Sequence, residues 1–190
     1  RCKASGQPLP ADVVDHIIPH RGNQKLFWDA KNWQAMNHVC HNRKTARKAD
    51  DMKKGLDFFP LDVDFFDDEK VQFISARFGI KGEVCAIRLL TRIYRNGYFI
   101  KWDEDSAYLF SKVAGKEFSP CLANEIVHEL VKRGFFNKSL FDSFGILTSR
   151  GIQDRFLKAC IRRKDVEVDA RYLLVDSSEF KNLRISQAYS

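Results

Sequence analysis

The residue pattern predicts an α+β fold: a small strand, loop and helix region, followed by a larger, mainly helical one. Three observations carry this. Residue usage changes near Ala49-Asp50-Asp51-Met52, with four of the five histidines before that point and a Phe-rich segment of helical periodicity after it. Ala11–Ile18 has the β-branched content of a strand and stops at Pro19. In the second segment, capping residues and glycines recur at helix-length intervals. The expected divisions are 1–50, 51–175 and a polar remainder, 176–190, read as a loose tail or the start of a linker.

In the first segment, the strand is followed by turn chemistry at Arg21-Gly22-Asn23, and Asn32–Lys44 then reads as a helix. Such a helix can return across the strand, which brings Asp15 and His16 opposite His41. A core this small holds few apolar groups, so metal or neighbouring surface is expected to support it. In the second segment, Asp67-Asp68 caps a helix with Val71, Ile74 and Phe78 on one face. Glu83–Asn96 sets Val84, Ile87, Leu90 and Tyr94 on one side and closes at Gly97. Tyr98–Trp102 reads as a short strand, and Asp103 caps a helix carrying Leu109, Phe110 and Val113. Ser119-Pro120 opens a further helix with Pro at its first position, and Gly134 follows its last turn. Phe135–Asn137 and Gly145–Thr148 flank a turn, which suggests a hairpin. A last helix, about 149–164, turns Ile152, Phe156 and Cys160 inward. Helices followed by a hairpin give the outline of a winged helix.

Composition sets limits. The 190 residues suit one medium domain or two small ones. Apolar residues at 44% and charged residues at 30% are ordinary for a soluble globular protein. No apolar run approaches the ~20 residues of a membrane span, so no membrane crossing is expected, and no signal-peptide pattern opens the chain. The net charge of +7 is unevenly spread: residues 1–50 carry +5, 51–110 carry −2 and 111–190 carry +4. Basic ends around an acidic middle suit a nucleic-acid partner at both ends. Cys2, Cys40, Cys85, Cys121 and Cys160 form no C-x-x-C pair, so a reducing cytoplasm is a simpler setting than a disulfide scaffold. Cys85, Cys121 and Cys160 fall among apolar neighbours and read as core fillers.

The most specific signal is the spacing D-H-x15-N-x8-H-x2-K-T, running from Asp15-His16 through Asn32 to His41 and Lys44-Thr45. A carboxylate and an imidazole can hold a cation, a second imidazole can activate water, and an amide can brace it: the parts of a one-metal phosphodiesterase. Asp15 and His41 are the candidate metal ligands, and oxygen plus imidazole suits Mg²⁺ or Mn²⁺ with water and phosphate completing the shell. His16 is the candidate general base. The full wording, Val13-Val-Asp-His-Ile-Ile-Pro-His-Arg-Gly, Phe27-Trp-Asp, Asn32-Trp-Gln and Cys40-His-Asn-Arg-Lys-Thr-Ala46, resembles the HNH endonucleases found widely in phages, over residues 2–48. The resemblance implies a ββα-metal fold and DNA cleavage leaving 5′-phosphate and 3′-hydroxyl ends. It also makes His16, Asn32 and His41 catalytic, with Asn32 holding the His16 backbone in place.

One departure stands out. Many relatives bind a structural zinc through two C-x-x-C pairs. Here Cys40 holds the last of those positions but Asn37 replaces its mate, and Cys2 has Ser5 on its other side. With two of four thiolates missing, a structural Zn²⁺ on Cys2 and Cys40 is not expected. His20 reads as a loop histidine, and Trp28 and Trp33 as packing for the small core.

The second segment also carries a resemblance. Gly55-Leu-Asp-Phe-Phe-Pro-Leu-Asp-Val-Asp64, Phe78-Gly-Ile-Lys-Gly82, Tyr94-Arg-Asn-Gly-Tyr98 and Phe141-Asp-Ser-Phe-Gly-Ile-Leu-Thr148 are similar to an N-terminal domain of phage and Gram-positive replication proteins. That domain is related in outline to DnaD-like primosome components, and the likeness spans residues 53–175. It implies DNA and phage or host replication proteins as partners, and a phage or prophage protein in the cytoplasm of a bacterial host. Candidate phosphate contacts are Arg43 and Lys44 after the catalytic His, and Arg155, Lys158 and Arg162 at i, i+3 and i+7. Ser119–Arg133 is the natural recognition helix, with Asn124, His128 and Lys132 on one side, although Glu125 and Glu129 beside them would repel phosphates. The acidic run from Asp57 to Glu69 could imitate nucleic acid or bind a basic partner, with solvated surface the simpler reading. Two functions stay open at this point: an HNH endonuclease joined to a replication-type module, or a non-catalytic binding protein carrying an HNH remnant. Met52-Lys-Lys-Gly-Leu-Asp, which reads like the start of a separate protein, favours the second.

Overall fold

The computed structural model describes the backbone of residues 10–51 and 54–186, and the side chains of all of these but 46–51. The chain divides into two compact units, one ending at Met52 and the other beginning at Lys53.

The first unit is β-β-α. Strand β1 (Val13–His16) pairs antiparallel with β2 (Trp33–Met36), setting Asp15 opposite Gln34 and His16 opposite Trp33. Between them lie the short helix α1 (Gln24–Trp28) and a 3-10 turn, Ala30–Asn32, capped by the side chains of Asn23 and Asp29. Helix α2 (His38–Asp51) follows. The helix expected over Asn32–Lys44 is therefore corrected: Trp33–Met36 is extended, with alternating burial, because β1 supplies a pairing partner. The helix starts only past Asn37. That side chain accepts from the Val39 amide at 3.0 Å and donates to the Pro10 carbonyl at 2.9 Å. Asp12 accepts from the His38 amide at 2.6 Å and also pairs with the His38 ring, a bond that holds its carboxyl below the usual range. Trp28 and Trp33 are 68% and 41% exposed, so neither packs a core.

The second unit is mainly helical. Its elements are α3 (Glu69–Phe78), α4 (Ile80–Asn96), β3 (Ile100–Lys101), α5 (Glu104–Ala114), α6 (Pro120–Lys132), α7 (Lys138–Phe144), β4 (Ile146–Leu147), α8 (Arg150–Ala159), β5 (Val166–Asp169), a 3-10 turn (Ser177–Glu179) and β6 (Leu183–Ser186). The caps are those expected: Asp68 for α3, Asp103 for α5 and Ser119 with Pro120 for α6. One apolar core joins Ile74, Leu89, Ile93, Ile126, Leu130 and Phe156, all essentially inaccessible. Helices α3 and α4 meet so closely that a Cβ on Gly82 would sit 2.5 Å from the Ile74 side chain.

Four expectations change here. The flanks of the expected hairpin do meet, by an Asn137 amide to Thr148 carbonyl bond of 2.7 Å, but α7 joins them instead of a turn. Strand β4 pairs instead with β3, antiparallel. Leu109 and Val113 face outward at 56% and 77% exposure, while Phe110 is buried. Cys121 is exposed, whereas Cys85 and Cys160 are buried and burial pushes the Cys85 thiol up to about 12. The expected loose tail is ordered through Ser186: β6 runs parallel to β5, and Phe180 is buried beside them.

Candidate active site

The β1–β2 register decides what surrounds Asp15. Gln34, its partner across the ladder, donates to Asp15 Oδ2 at 2.9 Å. From α2, Lys44 Nζ reaches the same oxygen and also donates to the His16 carbonyl at 3.3 Å. His41, one turn earlier on α2, places Nε2 3.7 Å from Asp15 Oδ1. Burial pushes the Asp15 carboxyl up, yet bonds from Lys44 and Gln34 and the charges of Lys44 and His41 outweigh it and hold the group below its ordinary value. It is an ionised carboxylate with one oxygen engaged and the other turned to an imidazole.

His16 does not share this cluster. Its ring packs against His20 and Phe27, with centroids 5.0 and 5.3 Å away. His16 Nε2 lies 3.0 Å from the Phe27 carbonyl. A carbonyl only accepts, so Nε2 carries the hydrogen, which in the neutral ring leaves the lone pair on Nδ1. His20, read as a loop histidine, is thus half-buried in an aromatic group with His16 and Phe27.

Asn32 is buried at 5% exposure, and its bonds account for it. Its Oδ1 accepts from the Ile18 amide at 2.7 Å, and its Nδ2 donates to the carbonyls of Ile18 and Leu26 at 2.9 and 3.0 Å. The amide therefore ties the two ends of the loop after β1 to each other. It grips Ile18, not His16 itself, so its hold on His16 runs through two residues of backbone.

Among the described residues no group of three or more His, Cys, Asp or Glu side chains is arranged to hold a metal ion. What exists is the two-donor set of Asp15 Oδ1 and His41 Nε2. Donors each about 2.1 Å from one cation lie roughly 3 Å apart, so the observed 3.7 Å needs a closure of under about 1 Å. The pair fits a cation that keeps open positions, not a closed structural site. Cys40 is buried, and Cys2 lies outside the described residues.

The basic residues read as phosphate contacts fare unevenly. Lys44 is committed to Asp15, Arg155 pairs with Asp62, and Lys158 bonds Asp154 at 2.7 Å. Helix α8 ends at Ala159, so Arg162 is off its face; it and Arg43 are exposed. On α6, Asn124 accepts from the Trp102 indole at 2.9 Å and His128 lies edge-on to Phe141. Glu129 is buried with Arg77 at 2.6 Å and Arg133 at 2.9 Å, while His128 and Lys132 beside it stay exposed. Gln34 and the Phe27 carbonyl were not anticipated. Only the burial of Trp33–Met36 alternates, so the pairing with β1, and no pattern of residue types, brings Gln34 to Asp15.

Comparison with known proteins agrees with both resemblances at a coarser level. An HNH endonuclease family model matches residues 1–47, and the model described as Lin1244/Lin1753-like, N-terminal matches residues 58–152. The uncharacterized phage-related protein Lin1244/Lin1753 of Listeria innocua serovar 6a is 39% identical over 132 residues, 70% of this chain. The chain spans 43% of that relative's length. No solved structure matches. An HNH-type domain thus opens the chain, and over half its length the chain belongs to the Lin1244/Lin1753-like, N-terminal family.

Proposed function

We propose that the first unit is a divalent-cation-dependent HNH endonuclease acting on DNA, with Mg²⁺ or Mn²⁺ as its cation. The observation that carries the reading is the 3.7 Å approach of His41 Nε2 to Asp15 Oδ1, groups 26 residues apart in sequence. Asp15 and His41 would hold the cation, which when bound supplies charge neutralisation at the phosphate under attack and at the departing 3′ oxygen. Asp15 enters ionised, and Lys44 and Gln34 hold its second oxygen so that Oδ1 is the one presented. His16, fixed as the Nε2–H tautomer by the Phe27 carbonyl, offers Nδ1 to take a proton from water. Asn32 keeps the intervening loop closed, and Arg43, exposed on the same helix as His41, would meet the backbone phosphate. The second unit we read as a module for DNA or replication proteins of winged-helix outline, in which α5 and α6 accompany the β3–β4 ladder.

Plasmid nicking in Mg²⁺ or Mn²⁺ tests the enzyme reading. Both His16→Ala and His41→Ala are expected to lose at least about a hundredfold in rate. Nicking that survives in both sinks the assigned roles. A second reading, a binding protein with an inactive HNH remnant, is favoured by one observation: Lys44 pairs directly with the Asp15 carboxylate. In that case Mn²⁺ would leave the melting of the first unit unmoved.

A further inference from the structure

The second unit carries a surface the nuclease reading leaves unused. From Asp57 to Asp68 the chain alternates acidic and large apolar residues, and much of the apolar part faces water. Phe58 is 85% exposed, Val63 fully so, and Phe66 49%. Scattered exposed side chains need no explanation, but a run of them beside a cavity marks a contact surface. The segment is also built, not slack. Phe65 is buried edge-on to Phe135, Phe59 stacks on Tyr94 with centroids 4.6 Å apart, and the Phe65, Asp67 and Asp68 amides bond back to Asp62 and Asp64 carbonyls.

Beneath it lies a cavity of about 450 Å³, walled by Phe59, Tyr94, Leu90 and Phe135 and rimmed by aspartates. Two cationic side chains, Lys70 and Arg155, line this mouth, and the Arg155 guanidinium pairs with Asp62. Asp64 and Asp67, on the same rim, have no ion-pair partner among the described residues. A hollow with aromatic walls, whose rim carries four aspartates against Lys70 and Arg155, keeps an acidic excess that suits a chain pairing an apolar side chain with cations.

We propose that this face docks a basic segment of another protein. An aliphatic or aromatic side chain enters the cavity between Phe59 and Phe135, and flanking Arg or Lys residues meet Asp64 and Asp67. The surface is independent of the first unit's chemistry.

The test titrates the full, ¹⁵N-labelled chain with a short peptide of alternating Arg and Leu, beside Glu–Leu and Arg–Ser peptides of equal length. Saturable amide shifts confined to residues 58–70, Tyr94, Phe135 and 149–155, with the Arg–Leu peptide alone, are expected. Asp64→Asn with Asp67→Asn should weaken that binding about tenfold at unchanged melting temperature. Should the double variant fail to fold, Phe58→Ser, at a position exposed to solvent, must weaken it instead. Equal response to the Glu–Leu peptide, no response at millimolar Arg–Leu peptide, or the same shifts from a short DNA duplex would each overturn the proposal.

Discussion

The two units are held together by different means. In the second, large apolar side chains such as Leu130, Phe136 and Phe156 are almost wholly removed from water. In the first, the buried residues among those described are Asn32, Asn37 and Cys40, while Val14, Ile17 and Ile18 stand more than half exposed. Its shape comes from polar brackets: Asn32 across the loop, Asn37 and Asp12 at the head of α2, and Lys44 on Asp15. A hydrophobic core tolerates the loss of any single polar bond. A bracketed fold does not, because each bracket replaces packing that is absent.

That contrast can be broken or sharpened, and the largest effect belongs to the packed unit. Leu130→Ala should cost about 2–5 kcal/mol of second-unit stability in urea unfolding, through the cavity it leaves. The same experiment should leave metal-dependent signals of the first unit unchanged, since independent sites add. Asn32→Ala comes next. It strands the Ile18 amide and two carbonyls, and about 1–3 kcal/mol is expected, enough for thermal melting of the first unit to separate from that of the second. An unchanged melting profile would mean packing, not the amide, holds the loop.

Lys44→Met takes away the cation resting on Asp15, so Mn²⁺ binding measured by titration calorimetry should tighten on the order of tenfold. Weaker binding would show instead that Lys44 chiefly holds the carboxylate in position. The smallest effect concerns Glu129. The Arg133 hydrogen bond, with charges from Lys132 and Arg77, holds its carboxyl below the ordinary 4.5. Its contribution is therefore full above about pH 4.5 and is lost as pH falls through the lowered folded value. Glu129→Gln should flatten that acid limb while leaving the neutral-pH slope alone; an unaltered limb would place the acid sensitivity elsewhere.

Some of this was legible before any coordinates. Asp68, Asp103 and Ser119-Pro120 announce their helices because a cap bonds amides two or three residues away, so the evidence is local. Errors fall where partners are distant. Trp33–Met36 reads as helix until β1 is alongside it, and 176–186 reads as tail until β5 is. Phe135–Thr148 suggests a hairpin because both flanks are right and only the connection, α7, is not.

By itself, then, the amino-acid order determined the division into a His-rich and a Phe-rich region, most helix boundaries in the latter, and which residue types stand at the HNH-like spacing. Only tertiary structure decided that Lys44 turns inward to Asp15 and not outward to phosphate, that Asn32 grips Ile18, and that Gln34 belongs to the site. The reason is physical. Residue type fixes what a side chain can bond, but strand register and helix placement fix what lies within 3 Å of it.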